Sequence, residues 1–183
     1  MKNKLNIGAG SDIRADYVNH DIASLANIDV VHDLNNFPWP WSDNQFSEIL
    51  AKDVIEHLDN FIEVMNELHR LTKVGGIVDI QVPYWNGWAA VADPTHKKGF
   101  HEFTFRFFDP DSEFCKERPY YSSARFKIIT EEFILIPFSP YFAIPYISRR
   151  ITIRNSFLKR FFAFLSNHFG NIIIDIHIKL KKI

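Results

Sequence analysis

The sequence predicts an α/β fold built on an open parallel sheet, and three observations support this. Five short apolar segments that read as strands lie within the first 83 residues. Between the fourth and fifth of them, apolar residues recur at helical spacing. Four of the five strands end in a glycine turn or a polar residue, as strands at a ligand-binding sheet edge do. The length of 183 residues suits one domain with a sizeable core.

The five strands differ in how they end. They are predicted at 5–7 before Gly8-Ala9-Gly10, 17–22 with Asp21 near its end, 29–34 with Asp33, 46–50, and 77–82 before Pro83. Few residues separate the first three strands, whereas a usual crossover helix needs about a dozen residues. The first helices are therefore expected to be shortened to a turn or a short helix each.

The helix between the last two of these strands has one apolar face. That face consists of Ile55, Leu58, Ile62, Met65, Leu68 and Leu71. Lys73 supplies a basic last turn, and Gly75-Gly76 is a typical stop signal. The sequence thus predicts a helix over about 55–71 that ends in a glycine stop.

The second half of the chain has a different character. Segment 84–125 is rich in aromatics and histidines but has little periodicity, which favours a functional insertion over a linker. A long strand or a strand pair is predicted at 123–136, a basic amphipathic helix at 149–169, and a last strand at 172–180.

Charge is unevenly distributed. Residues 1–136 carry 13 Lys/Arg and 21 Asp/Glu, whereas residues 137–183 carry 8 Lys/Arg and only Asp175. The single cysteine excludes an internal disulfide framework and a cysteine-only zinc site. The chain opens without a signal-peptide pattern, and its longest uncharged stretch, 133–147, is short and contains three prolines. We therefore expect a cytoplasmic protein.

The polar strand ends predict the kind of ligand. Gly8-x-Gly10 lets the backbone approach a ligand closely, but the third glycine of the dinucleotide fingerprint is absent. Asp21 is placed to accept both hydroxyls of a ribose, or else caps the turn that follows. Asp33 is placed to accept from an exocyclic amine. A ligand with a ribose and an amine-bearing base, without phosphates, fits better than NAD or FAD.

Several motifs carry a specific resemblance. They are Leu5-Asn6-Ile7-Gly8-Ala9-Gly10, Val18-Asn19-His20-Asp21-Ile22, Asp33-Leu34, Pro38-Trp39, Glu56-His57-Leu58, Glu67-x-x-Arg70-x-x-Lys73-x-Gly75-Gly76 and Ile80-x-Val82-Pro83. Together they resemble a class I S-adenosylmethionine-dependent methyltransferase, and most of all the small, methyltransferase type 11-like group. The resemblance is close over residues 4–83 and loose beyond them.

The resemblance implies a Rossmann-like, mostly parallel sheet of seven strands whose last strand, at 172–182, is antiparallel. It also implies a single domain over 1–183. Residues 4–83 would form the cofactor-binding half, 84–125 a lid over the acceptor inserted after strand five, and 126–183 the C-terminal strands and basic helix.

The resemblance also assigns roles to single residues in binding S-adenosylmethionine. The methionine portion would lie over Gly8, Ala9 and Gly10, with Lys52 and Asp53 at its end. Asp21 would bind the ribose, and Ile22 would pack on the face of the adenine. The edge of the adenine would meet Asp33 and Leu34. His57 either reaches this site or caps its helix. Asn6 departs from the family, in which an acidic residue is common at that position.

The acceptor side is less specified. Transfer to a hydroxyl needs a base, and His96, oriented by Asp93, is the candidate, although a histidine bonded to loop backbone is an equal alternative. A metal held by Asp93, His96 and His101 is considered, but no metal is predicted. We expect a small-molecule, sugar or lipid-linked acceptor, methylated at oxygen. The alternative is a catalytically inactive binding or scaffold protein.

The basic segment 149–169 has two interpretations. Its aromatic and basic residues suit peripheral contact with an anionic membrane, and they equally suit packing on the acidic N-terminal part, which we favour. Nucleic-acid binding is not expected, because no known module is present and the net charge is −1.

Overall fold

The computed structural model describes residues 2–135 and 150–183 of the chain. Its centre is one eight-stranded sheet with the order β3-β2-β1-β4-β5-β8-β6-β7. The strands are β1 (Lys4–Ile7), β2 (Val18–Asp21), β3 (Val30–Val31), β4 (Phe46–Lys52), β5 (Thr72–Pro83), β6 (Phe126–Leu135), β7 (Ile151–Ile153) and β8 (Ile173–Lys182). The helices are α1 (Phe61–Leu71), α2 (Trp88–Ala92), α3 (Glu113–Glu117) and α4 (Ser156–Phe169).

The strand directions confirm the predicted fold class. Strands β1 to β5 pair in parallel, and β8 is antiparallel to both β5 and β6. The predicted last strand is therefore antiparallel as expected. The sheet has eight strands rather than seven because β7 adds a short antiparallel edge to β6. The carboxyl ends of β1, β2, β4 and β5 lie along one edge, where a parallel sheet binds ligands.

The first two crossovers are shortened as predicted, since neither 8–17 nor 22–29 contains a helix. The predicted third strand is too long, because β3 is only Val30–Val31. Beyond it, the backbone turns: Asp33 Oδ1 accepts from the N–H of Asn35 at 2.9 Å. Asp33 therefore lies in a turn just past the strand, still on the carboxyl edge of the sheet.

Helix α1 is shorter than predicted at its start. Asn60 accepts from the N–H of Glu63 and caps it, so the helix begins at Phe61. Ile55 belongs to a separate 3-10 turn, Ile55–His57. The predicted glycine stop is also wrong, because the chain enters β5 directly at Thr72. Gly75, with φ of 78°, lies where the pairing of β4 with β5 shifts register, as in a bulge.

Some of the aromatic residues of 84–125 belong to the core. Phe61 of α1 makes edge-to-face contacts with Phe100, Phe105 and Phe108, all fully buried. In contrast, Trp85 and Trp88 are 43% and 38% exposed. The segment therefore packs onto the core through these three phenylalanines and leaves its two tryptophans at the surface.

The predicted helix over 149–169 starts too early. Residues 151–153 form β7, because they pair with Phe133, Ile134 and Leu135 of β6. The α4 helix begins only after Asn155, whose side chain accepts from the N–H groups of Phe157 and Leu158. Arg149 and the end of the predicted strand at 136 lie outside the described residues. No helix among the described residues is both long and apolar enough to cross a membrane.

The last strand follows its predicted alternation. Ile174, Ile176, Ile178 and Leu180 are all buried. On the opposite face, His177 pairs with Asp79 of β5 through Nε2 at 2.5 Å. The strand therefore joins the core on one face and a polar cluster on the other.

Candidate active site

The two glycines of the turn after β1 share a positive φ but differ in what surrounds them. Gly8 and Gly10 have φ of 62° and 50°, a region costly for other residues. A Cβ on Gly8 would lie 2.6 Å from Cγ2 of Val54, whereas a Cβ on Gly10 would meet nothing within 4 Å. Gly8 is thus required by packing, and Gly10 borders open space.

Asp21 ties this turn to the end of β2. Its Oδ2 accepts from the N–H of Gly10 at 2.8 Å, and its Oδ1 accepts from the N–H of Ala23 at 3.0 Å. Each carboxylate oxygen has a second lone pair, so the side chain keeps acceptor capacity for a ligand. Capping a turn and binding a ribose are therefore compatible roles for Asp21.

A cavity of about 460 Å³ opens at this edge of the sheet. Its lining residues are Gly8, His20, Asp21, Ile22, His32, Asp33, Leu34, Asn35, Asp53, Val54, His57, Leu58 and Thr95. Seven predicted cofactor residues are among them. Ala9, Gly10 and Lys52 do not line the cavity, and Ala9 is buried.

The sequence interpretation missed His20. This buried residue accepts from the N–H of Gly8 through Nδ1 at 3.4 Å and donates through Nε2 to the carbonyl of His32 at 2.9 Å. Burial lowers its pKa, which keeps the ring neutral in this arrangement. Its position directly before Asp21 was the available signal.

Two residues shape the apolar end of the cavity. Ile22 is 66% exposed, unusual for an isoleucine that lines a cavity and suited to covering a flat ring. Leu34 is buried, and its carbonyl accepts from Nε1 of Trp39 at 2.9 Å. Leu34 is therefore anchored in the core, whereas the side chain of Ile22 is free to contact a ligand.

Asp53 lies at the opposite end, between two cavities. It follows β4 with φ of 50°, and its N–H donates to the carbonyl of Gln81 at 2.9 Å. A second, smaller cavity of about 180 Å³ also has Asp53 in its wall. That acceptor-side cavity is lined by Asp53, Glu56, Pro83, Trp88, Ala89, His96, Arg150, Ile174 and Asp175.

The acceptor-side cavity holds carboxyl groups that resist ionisation. Burial, together with the nearby charge of Asp53, raises the pKa of Glu56 to about 8 and that of Asp175 to about 6. Arg150 lies 3.8 Å from Asp175 and partly offsets its shift. The cavity therefore favours groups that donate hydrogen bonds or carry positive charge.

His57 lines the larger cavity, of about 460 Å³, and is held there by a relay of hydrogen bonds. The Oγ1 of Thr95 lies 2.6 Å from Asp93 Oδ1 and 2.9 Å from His57 Nδ1. The bonds from Thr95 lower the pKa of Asp93, so the carboxylate accepts the hydroxyl proton. The Thr95 oxygen then accepts from His57, so the proton of the neutral ring lies on Nδ1 and Nε2 is unprotonated.

His96 lies in the wall of the smaller cavity, but Asp93 does not orient it. The nearest approach of the two side chains is 4.0 Å, too long for a hydrogen bond, because the Asp93 carboxylate is turned to Thr95. Instead His96 Nε2 faces Glu56 Oε1 at 3.9 Å, and its ring lies 4.6 Å from that of His57.

The metal-ligand set considered from the sequence is not assembled. His101 Nδ1 lies 3.1 Å from Glu102, beside Trp85 and Phe103. Among the described residues, Glu56, His57 and His96 instead bring one potential ligand atom each within 4.8 Å of one another.

Comparison with known protein families finds a match for the first half of the chain. A family model described as a methyltransferase domain matches residues 9–80. No curated protein sequence matches.

Solved structures show the same fold at low sequence identity. A SAM-dependent methyltransferase from Archaeoglobus fulgidus is 18% identical, with a TM-score of 0.64 over 98% of this chain and 85% of that one. A possible histamine N-methyltransferase from Thermotoga maritima is 12% identical, with a TM-score of 0.63 over 99% and 82%. Geranyl diphosphate C-methyltransferase from Streptomyces coelicolor, in complex with Mg²⁺, geranyl diphosphate and S-adenosyl-L-homocysteine, is 13% identical, with a TM-score of 0.54 over 100% and 72%.

The fold and the domain match agree with the predicted class. The sheet has the fold of methyltransferases of known structure, and residues 9–80 match the methyltransferase domain model.

Proposed function

We propose that this protein is an S-adenosylmethionine-dependent methyltransferase. It transfers the methyl group to a hydroxyl oxygen of a small-molecule, sugar or lipid-linked acceptor bound in the acceptor-side cavity. The observation that supports this is the position of Asp53, which lies in the walls of both cavities. A methyl group on a cofactor whose methionine end lies at Asp53 faces the smaller cavity. Methyl transfer by direct displacement depends mainly on the alignment of the acceptor atom with the methyl group.

The larger cavity suits the cofactor in one orientation. Adenine lies between Ile22 and Leu34 with Asp33 at its edge, and the ribose hydroxyls bond to the free lone pairs of Asp21. The methionine portion passes over Gly8 toward Asp53, both of which lie in the wall of this cavity. Gly10 lies outside the wall and borders open space beside this path.

The acceptor hydroxyl must lose its proton as the new bond forms. We assign its activation to the cluster of Glu56, His57 and His96, which lies between the two cavities. His96 is the member nearest the acceptor, since it lines the smaller cavity. Asp93 acts on this cluster through Thr95 and is a positioning residue.

The test is formation of S-adenosylhomocysteine from S-adenosylmethionine in the presence of pooled hydroxylated metabolites, sugars and lipid-linked alcohols. We expect one pool to support turnover, and His96→Ala to lower it by about 10²–10⁴ while cofactor affinity is kept. His168→Ala, at an exposed position of α4, is the matched control.

The same assay separates an enzyme from an inactive binding or scaffold protein. Saturable binding of S-adenosylmethionine without turnover in any pool would favour the scaffold. A pool of amines without hydroxyl groups is assayed in parallel, and turnover only with that pool would contradict methylation at oxygen.

A further inference from the structure

Glu56, His57 and His96 converge from two segments that are far apart in sequence. Glu56 and His57 lie in the 3-10 turn after β4, and His96 lies in the loop after α2. The backbone N–H of Lys97 donates to the carbonyl of Glu56 at 2.8 Å and holds the two segments together. The convergence of the three side chains is thus supported by a backbone contact.

Two polar atoms of this cluster are buried without a partner. They are Glu56 Oε2, on a side chain that is 1% exposed, and His96 Nδ1, on a side chain that is 11% exposed. Leaving a carboxylate oxygen and an imidazole nitrogen buried without a hydrogen bond is costly. The atoms that face each other are Glu56 Oε1 and His96 Nε2, so a cation held between the two side chains would bind Nε2 and give the carboxyl group of Glu56 a partner. Nδ1 of His96 would remain for the hydrogen bond that a ligating ring makes through its other nitrogen.

The third member already has the arrangement of a metal ligand. A histidine that binds a metal donates its other ring N–H to an oxygen acceptor, which fixes the ring and its tautomer. His57 does this through Nδ1 to Thr95, and Asp93 in turn holds Thr95. The unprotonated Nε2 is thereby available to bind a metal.

Charge around the cluster also favours a cation. Asp53 and Asp175 line the same cavity as Glu56 and His96, and Asp93 lies 4.0 Å from His96. The facing cations are already paired: Arg150 approaches Asp175, and the Nζ of Lys97 bonds to Asp59.

The spacing requires only small movements. Ligand atoms of a tetrahedral Zn²⁺ with bonds of about 2.0–2.1 Å lie about 3.4 Å apart. His96 Nε2 and Glu56 Oε1 are 3.9 Å apart, and the three residues offer atoms within 4.8 Å. Two histidines and one glutamate form a known catalytic zinc set that leaves a position open.

We propose that Glu56, His57 and His96 bind a divalent cation, Zn²⁺ in preference to Mg²⁺, at the junction of the two cavities. Its chemical role rests on the function proposed above. An acceptor hydroxyl bound at the open position loses its proton to solvent, the oxygen forms the new C–O bond, and the S–CH₃ bond breaks to release S-adenosylhomocysteine.

The test is calorimetric titration of Zn²⁺ into the chelator-treated full chain, with Mg²⁺ in parallel. We expect one site with a dissociation constant in the micromolar range or below. His57→Ala and His96→Ala should each weaken it by at least about tenfold. His101→Ala and His168→Ala are controls that remove a histidine elsewhere.

A second measurement tests the proposal on the wild-type protein, so that it does not depend on how well the variants fold. Co²⁺ bound to the wild type should give visible absorption typical of a four- or five-coordinate site, and Zn²⁺ should displace it. Absence of saturable Zn²⁺ binding, or equal binding by a folded His57→Ala/His96→Ala double variant, would overturn the proposal.

The two proposals fail separately. Turnover that persists undiminished in excess chelator contradicts the cation site and leaves methylation at oxygen in place. Zn²⁺ binding lost in the histidine variants, in a protein that transfers no methyl group to any hydroxyl, supports the site and contradicts the proposed reaction.

Discussion

The backbone N–H of Gly10 donates to Asp21 Oδ2 at 2.8 Å and joins the turn after β1 to the end of β2. One side chain thereby fixes the shape of the glycine turn and stands at the cavity where the ribose is expected. The carboxylate of Asp21 thus has a structural role as well as the binding role predicted for it, and its removal should affect both.

Asp21→Ala should weaken binding of S-adenosylmethionine and S-adenosylhomocysteine by about 1.5–3 kcal/mol, because charge-assisted hydrogen bonds to the ribose are lost. Calorimetry on wild type and variant measures the difference. The matched control is Asp16→Ala, which removes an exposed carboxylate nearby. Unchanged affinity in a folded Asp21→Ala variant would show that the ribose does not lie there.

The two glycines of the turn should respond differently to alanine. Gly8→Ala places a Cβ 2.6 Å from Val54 and should lower the melting temperature markedly. Gly10→Ala meets no protein atom, so it should cost only the strain of its positive φ while reducing cofactor affinity. Thermal melts with and without S-adenosylhomocysteine test this. Equal destabilisation by both substitutions would contradict the assignment of Gly10 to the ligand space.

His69 should make the protein less stable as the pH falls. Burial, aided by the charges of Lys182 and Arg125, lowers its pKa from 6.5 to about 4. The unfolded chain therefore binds a proton that the folded chain refuses between these values. This contribution to the free energy of unfolding is present above pH 6.5 and is lost progressively toward pH 4.

Urea denaturation of wild type and His69→Leu at several pH values measures this contribution. The difference between the two proteins should change across pH 4–6.5, while His168→Leu, at an exposed position, should follow the wild type. A wild-type stability that falls no more steeply than that of His69→Leu would refute the prediction.

The Asp93–Thr95–His57 relay predicts a single tautomer. In the metal-free protein, ¹⁵N-detected NMR of the imidazoles at neutral pH should show the proton of His57 on Nδ1. Thr95→Val removes the acceptor and should shift the ring toward a mixture of tautomers, whereas Thr152→Val in β7 should leave it unchanged. A His57 ring protonated on Nε2 in the wild type would contradict the relay.

The two faces of helix α4 correspond to the two interpretations of the basic segment 149–169, packing on the domain and contact with a membrane. Phe162 and Ala163 pack against the core, whereas Phe157, Phe161 and Phe164 are 74%, 47% and 60% exposed. This outward aromatic stripe is the part of the segment suited to insertion at a membrane surface.

Membrane contact by this stripe predicts that the protein sediments with vesicles that contain anionic lipid and is released by salt. Phe161→Ser/Phe164→Ser should abolish sedimentation without lowering the melting temperature. Tyr120→Ser/Tyr121→Ser, which removes exposed rings elsewhere, is the control. Failure of the wild type to sediment at low salt would exclude membrane contact by this helix.

Local pattern was enough to predict most of the sheet and the cofactor end. Leu5 and Ile7 alternate with polar residues before a glycine turn, and Asp21 ends the next strand, so both signals lie within a few residues of each other. Where the pattern misled, longer-range pairing was responsible. The pairing of Thr72 with Phe46 turned the expected glycine stop into strand, and β7 formed because β6 offered an edge.

The class of fold, the glycine turn and the carboxylate at the end of the second strand could therefore be predicted from the chain alone, since periodicity and strand ends are properties of neighbouring residues. The arrangement of the residues on the acceptor side could not be predicted in this way. Thr95 and His57 are 38 positions apart, and Glu56 meets His96 only because the loop after α2 folds back on the turn after β4. Burial then decides their chemistry, because Glu56 and His96 each carry a buried polar atom that only a partner in three dimensions can satisfy.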